Sequence, residues 1–449
     1  MTSRSRSRST AKAPSAGAPR RTARAKTDKT SVKIDDLRQF LDASPTSHHV
    51  VATAARRLLD AGFAWFDAAS ELPDLAGRST KGFITRGGAL VAFVTSARAN
   101  SHFRIVGAHT DSPGLHLKSS PEGAAANFGT LEVEVYGSPL LNSWLDRDLD
   151  LAGHVVKRDG STVVFRSARP VARLPQLAIH LDRGVNENGL VLDKHAHLRP
   201  VWLTGDATLR VRDLATELAG VNARLVAAVH AQLVDHESAR VIGADASLLA
   251  SGRLDNQLSC WAAIDAISGV TGNDGVAVAA LFDHEEVGSD STTGAGGPLL
   301  MHTTERIAAA LGKSRVEYLA MLPKSACLSC DNAHAVHPNY QERHDPKHAP
   351  LLNRGVALKT NSNQRYATSA SSSVAFLDAC AAAGAMHQTF FSRNNMPCGS
   401  TIGPITATQL GIDTVDVGVP QLSMHSAREV CGVNDAADLP RIVRAFLRA

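Results

Sequence analysis

Two histidines and a group of carboxylates stand at the ends of apolar runs in this chain: His109 and Asp111 in IVGAHTDSPG, Asp255 in SGRLDNQ, Glu285 and Glu286 in ALFDHEEVGS, Asp331 in CLSCDNAHAVHPNY, and His425 in VPQLSMHSARE. Imidazole nitrogens with carboxylate oxygens form a hard-to-borderline donor set, suited to Zn²⁺, Mn²⁺ or Co²⁺ rather than to a thiolate site. Two cations about 3.5 to 4 Å apart need one shared carboxylate and roughly two private ligands each. Asp255 as the bridge, with His109, Asp331, Glu286 and His425 as private ligands, meets that count. Adjacent strand residues point to opposite faces, so Glu285 and Glu286 reach one site only from a turn past the strand end, which Gly288 permits. One glutamate then holds metal while its neighbour takes a proton from the activated water. Asp111, two residues after His109, is placed to accept the imidazole's other N–H.

Each of these features has a plainer reading when taken singly. A strand-end histidine is commonly a hydrogen-bonded structural residue, an Asp-Asn pair a turn or helix cap, and paired glutamates a solvated face. Their joint occurrence, each at the end of an apolar run, favours a metal site. Other catalytic signatures are missing: His284-Glu285-Glu286-Val287-Gly288 lacks the second histidine of H-E-x-x-H, and neither G-x-S-x-G nor G-x-G-x-x-G occurs.

The elements that must position these residues have α/β texture. DDLRQFLDAS and SHHVVATAARRLLDAG carry helical periodicity, and from Ala250 onward helices alternate with apolar strands. Between roughly 120 and 235 the pattern changes to short strands with Gly and Pro turns, as in LEVEVYGSP and AGHVVKRDGSTVVFR. At 449 residues the chain exceeds the usual single-core limit of about 250 to 300. The expected architecture is an α/β catalytic domain, residues 31–120 plus 236–449, with a mostly parallel or mixed sheet flanked by helices. An all-β insertion at 121–235 interrupts it. Reactive groups in such open sheets gather beyond the strands' carboxyl ends.

The net charge of +4 is unevenly placed, because residues 1–30 hold nine Lys or Arg against one Asp and leave the remainder at −4. An Arg/Ser/Ala segment with almost no apolar residues is expected to be a disordered tail. Its Arg-rich, acid-poor make-up also fits an organelle transit peptide. No run of about 18 apolar residues predicts a membrane span. Six cysteines do not make a disulfide scaffold, and Cys327 and Cys330 in CLSC have no second pair with which to hold zinc. Buried thiols in a reducing, cytoplasmic compartment are expected.

Nine motifs in order, VGAHTDSPGL, LNSWLDRDL, AIHLDR, RLDNQ, DHEEVGS, DNAHAVHPNY, KTNSNQRYAT, PCGSTIGP and MHSARE, resemble those of the M18 metallo-aminopeptidases, which include aspartyl aminopeptidase. The resemblance runs from about Asp36 to the C-terminus. It implies two zinc ions per subunit, one held by His109 and Asp331, the other by Glu286 and His425, with Asp255 between them. It implies Glu285 as general base, and Asp111 as the residue that orients His109. The family's inserted β domain builds dimers that assemble into a dodecamer, and His180 in AIHLDR matches a histidine that reaches a neighbouring subunit's active site; a second reading makes it zinc-associated. Lys359 resembles the basic residue that faces an acidic first side chain of a peptide substrate, and Tyr366, Gly399, Ser400 and Thr401 fall in pocket-lining motifs. A broader aminopeptidase or N-acyl amino-acid deacylase is the alternative within this chemistry. A non-catalytic nucleic-acid or membrane-surface binder acting through the basic tail is the alternative outside it. No specific nucleic-acid or membrane partner is expected.

Overall fold

The computed structural model describes residues 20–98, 100–205, 208–271 and 274–449. A nine-stranded mixed sheet forms the main body. Its centre is four parallel strands in the order Val276–Phe282, Phe103–His109, Ala326–Cys330 and Asp413–Gly418. Ala89–Val94 runs antiparallel on one flank and Val356–Thr360 on the other. VAVAALF is buried at all seven positions because helices cover both faces, which is why it reads as a continuous apolar run rather than an alternation.

Helices Arg20–Asp42, Ser47–Asp60, Leu254–Ser268, Ala370–Ala383 and Val433–Arg448 pack on one face around Trp261, whose indole N–H donates to Asp36 Oδ2 at 2.7 Å. Leu299–Ala310, Arg315–Met321 and Ile402–Leu410 cover the other face. Among the described residues the first helix spans Arg20–Asp42 and so reaches into the segment expected to be disordered; the Ala, Arg and Lys residues of 20–30 are good helix formers and extend the amphipathic helix that follows. Residues 1–19 lie outside the described residues.

The insertion is a small β-barrel. Strands Val226–Asp235, Gly114–Ala125, Phe128–Tyr136, Val201–Thr204, Ala172–Arg173 and Asp148–Lys157 pair in sequence, and the last pairs back to the first. Thr162–Arg166 adds to its edge. The barrel strands start at Gly114, not at 121: the strand leaves the catalytic sheet's edge directly after Asp111, so the expected boundary falls inside a 12-residue strand. Leu115, Leu131, Leu149, Leu151, Phe165 and Leu233 fill a core separate from the two beneath the main sheet. A third, five-stranded sheet, which includes Leu248–Ser251, Pro420–Leu422 and Glu429–Gly432, braces the loops that follow.

Candidate metal centre

All the expected ligands meet at the carboxyl edge of the parallel strands. His109 ends one strand, Asp331 follows Cys330, and Glu285 and Glu286 lie in a short 3₁₀ turn past Phe282. His284 and Gly288 flank that turn with positive φ of 62° and 103°, which reverses the chain and lets both glutamates face one site. Asp255 lies at a non-helical kink near the start of the Leu254–Ser268 helix and is joined to Asn256 by a cis peptide. His425 sits at φ 67° in the turn after Pro420–Leu422.

Asp255 faces two ways. Its Oδ1 is 3.4 Å from His109 Nε2, which in turn is 3.7 Å from Asp331 Oδ1. Its Oδ2 is 3.7 Å from His425 Nε2, which is 3.3 Å from Glu286 Oε2. The result is two imidazole–carboxylate pairs with one carboxylate between them. Glu285 Oε2 lies 3.9 Å from His109 Nε2 and also belongs to a triad with His109 and Glu286.

The electrostatics favour a cation here. Burial, with the neighbouring Asp331, Asp111 and Asp255 carboxylates, lifts Glu285 to about 8 against the opposing pull of His109. Burial and Asp255 raise Glu286 well above the carboxylate range, and burial with Asp331 raises Asp255. Asp331 is held low by Lys359 and His109 although burial opposes them. Asp255 Oδ1 and Glu286 Oε1 are buried acceptors with no hydrogen-bond partner. Like-charged carboxylates packed together with unpaired oxygens are costly unless positive charge joins them. The donor set and these orphaned atoms therefore fit divalent metal, with His109, Asp255, Asp331, Glu286 and His425 as the residues to hold it.

Backbone and side-chain bonds fix each donor. Asp111 lies alongside His109 Nδ1, with its carbonyl at 3.1 Å and Oδ1 at 3.4 Å, and accepts the backbone N–H groups of Glu285 and Glu286, both at 3.1 Å. Tyr136, from the barrel, donates its hydroxyl to Asp111 Oδ2 at 2.7 Å. Glu429 accepts from Asp255 N at 2.9 Å and from His425 N at 2.7 Å, so one buried carboxylate sets both backbones. His425 Nδ1 lies 3.1 Å from the Ser138 carbonyl, and Ser143 donates no side-chain bond to it but accepts from Ala427 N, which ties the LNSW turn to the ligand loop. Tyr136 and Glu429 were missed by sequence reasoning. For Glu429 a signal existed, since an acid four residues past a ligand can fold back on its backbone; Tyr136 offered none.

The substrate-side residues divide. Lys359, expected to face a substrate, is 2% exposed and donates to Asp331 O at 3.0 Å, Asp331 Oδ2 at 3.3 Å and Asn332 O at 3.1 Å, with its ammonium 4.8 Å from the Tyr366 ring centroid. Its donors are engaged because the Asp331–Asn332 turn crosses its tip. Thr401 donates to Asp416 Oδ1 at 2.6 Å and caps the following helix, whereas Gly399 and Ser400 are exposed in the preceding loop. His180 lies in an exposed turn of the barrel, and among the described residues no hydrogen bond or ion pair joins it to the carboxylate cluster. Cys327 and Cys330 are buried free thiols whose pKa burial raises, in line with a packing role.

A family model described as Aminopeptidase I zinc metalloprotease (M18) matches residues 40–447. The chain belongs to the M18 aminopeptidase family. It is similar to a probable M18 family aminopeptidase 2 of Streptomyces coelicolor, 48% identical over 423 residues that cover 92% of this chain and 97% of the relative. The corresponding protein of Mycobacterium leprae is 45% identical over 422 residues, covering 92% and 98%. Among solved structures, a complex of Ape4 and Nbr1 contains a chain that superposes with a TM-score of 0.87 at 31% identity, covering 94% of this chain and 86% of that one. An S. cerevisiae mApe1 dodecamer gives 0.81 at 26% identity, covering 93% and 97%. An M18 aminopeptidase from Thermotoga maritima gives 0.83 at 23% identity, covering 95% and 98%, a likeness of fold alone. The sequence resemblance to M18 enzymes is thus borne out, and with it a zinc metallopeptidase activity. Among the described residues no helix is long and apolar enough to cross a membrane.

Proposed function

We propose that this M18 aminopeptidase removes N-terminal Asp or Glu from peptides using two zinc ions per subunit, with Glu285 as general base. The observation that carries the two-ion reading is Asp255, whose two oxygens serve separate imidazole–carboxylate pairs. Zinc, when bound, supplies Lewis acidity that polarises the scissile carbonyl and acidifies water. His109 and Asp331 hold one side, Glu286 and His425 the other. Asp111 keeps His109 in one orientation and fixes the glutamate turn. Glu285 is half-buried beside the cluster and is not needed for the ligand count, so it is free to take the proton from the attacking water and return it to the leaving amine.

Acidic preference draws support from the buried ammonium of Lys359 at the wall of the site, beside Tyr366 and the Thr401 loop. Its field persists even though Asp331 shares its donors. We further infer a dodecamer built from dimers. The barrel loop around His180 exposes Leu177, Ile179, Leu181 and Val191, an apolar surface suited to a second copy, and His180 would then serve a neighbour's site as an oxyanion donor. The buried free thiols fit a reducing cytoplasmic setting.

Chromogenic anilides of Asp, Glu, Leu and Ala, each with an N-acetyl control, test the reading. We expect Asp and Glu to be released fastest, the acetylated controls to be inert, and a chelator to abolish turnover until zinc is restored. Faster release of Leu would reject the acidic preference, and release of acetate from the acetylated compounds, with the anilide intact, would indicate a deacylase.

A further inference from the structure

A second cavity, of about 330 Å³, lies on the far side of Asp111, where the barrel meets the catalytic domain. Its wall carries His284, whose ring bonds to Ser291, and four further imidazoles from four elements: His48 on the helix Ser47–Asp60, His116 on Gly114–Ala125, His154 on Asp148–Lys157 and His230 on Val226–Asp235. The rings form a continuous row. His48 stacks on His154 with centroids 3.7 Å apart, His154 on His230 at 5.3 Å, and His230 meets His116 edge-on at 5.1 Å. None of the four makes a side-chain hydrogen bond within the described residues, so their nitrogens are available to the space they enclose. They do not converge into a group with metal-ligand spacing; such groups among the described residues belong to the carboxylate cluster.

The floor carries the stronger signal. Gln257 is 0% exposed, and neither its amide oxygen nor its nitrogen has a partner. Arg253 forms no salt bridge in the described residues: its Nη2 makes a 3.4 Å bond to the Leu41 carbonyl and its buried Nε has no partner. The carboxylates that act on it from a distance are occupied elsewhere, Asp42 by Ala239 N, Asp235 by Arg147 and Arg428, and Glu429 by Asp255 N and His425 N. The acidic side chains on the wall are also engaged, Asp111 by Tyr136 and the glutamate turn, and Asp283 by Ser47 and His284 N. A half-buried guanidinium without a counter-ion, lining the same cavity as a buried unsatisfied amide, is costly in a folded protein unless an anion joins it. Guanidinium and amide donors facing neutral imidazoles match the oxygens of a phosphate or carboxylate group.

We propose that this cavity binds a polyvalent oxyanion, of phosphate or multi-carboxylate type, between Arg253, Gln257 and His48 on the catalytic domain and His116, His154 and His230 on the barrel. The ligand clamps the two domains together next to Tyr136, whose hydroxyl holds Asp111, and so stiffens the support of His109 and the glutamate turn.

The test uses the zinc-loaded enzyme. Crystals soaked in selenate, a dianion visible by its anomalous signal, are expected to show selenium between Arg253 and Gln257. Selenium confined to the metal cluster or the outer surface would overturn the proposal. In calorimetry, inorganic phosphate and citrate are titrated separately. Saturable binding of either that Gln257→Leu weakens supports the site and tells which source it prefers, and binding of neither, or binding that Gln257→Leu leaves unchanged, overturns it. Gln257→Leu and Arg253→Met are each expected to weaken the preferred anion by at least tenfold. Should Arg253→Met fail to fold, an unchanged Kd in Gln257→Leu alone overturns the assignment.

Discussion

The carboxylate cluster at the strand ends and the histidine row at the barrel junction each gather titratable side chains from at least four elements, yet different forces hold them. Cluster residues are tied by backbone hydrogen bonds: Asp255 and His425 to Glu429, both glutamates to Asp111, and Asp331 N to the Val417 carbonyl. Members of the row touch by ring stacking, and among the described residues their side chains make no hydrogen bonds. Geometry in the first is therefore fixed before any ligand arrives, at the cost of packing like charges together. Burial in the second keeps the rings neutral, with His48 lowered to about 4 and His116 and His154 to about 3. One region answers to cations and the other to protons and anions. Tyr136 links them, since its ring stacks on His116 at 4.4 Å while its hydroxyl reaches Asp111.

The largest effect is expected at Asp255. Asp255→Asn removes the charge shared by both halves of the cluster, so zinc per chain should fall toward zero and turnover by roughly four orders of magnitude. Retention of two zinc ions would show that the halves do not depend on a bridge. Tyr136→Phe removes the hydroxyl that fixes Asp111 and should weaken zinc about 10- to 100-fold in a competitive chelator titration. An unchanged affinity would mean that the link between the regions is passive. Lys359→Met should lower the Asp-to-Leu selectivity in kcat/KM by about tenfold, the size of one screened charge pair. Equal losses on both substrates would leave Lys359 serving Asp331 alone.

The histidine row gives the mildest effect. Burial lowers His48 to about 4 and His116 and His154 to about 3 in the folded state, below the 6.5 of the unfolded chain. The unfolded state thus binds more protons as pH drops below about 6.5, and stability falls over the window from there to about 3. His154→Phe keeps a stacking ring and loses one titrating site, so denaturant unfolding at pH 5 should take up one proton fewer than in the wild type. An identical pH slope would mean that His154 does not titrate as its burial implies.

Much of the cluster was legible because its ligands come in contiguous motifs at strand ends, where residue type and position carry the same message. The Glu285–Glu286 turn follows from strand alternation and Gly288, and the chain does turn there. Tyr136 reaches Asp111 through barrel pairing, in which Gly114 sits opposite Tyr136; this is a tertiary register that no local pattern records. The histidine row was illegible for the same reason: barrel strand pairing brings His116, His154 and His230 together, and docking of the barrel adds His48. The α/β body and β insertion were readable from periodicity. The barrel start at Gly114 was not, since composition fades gradually where the backbone changes state at a single residue.

The assignment of Glu285 as the base, distinct from the ligands, is the point on which the mechanism turns. Zinc content and turnover of Glu285→Gln on an N-terminal Asp substrate, measured on one preparation, test it most directly. Two zinc ions per chain with turnover reduced by about 10² to 10⁴ is the expected result. Wild-type turnover in that variant, or loss of zinc in step with activity, would contradict it.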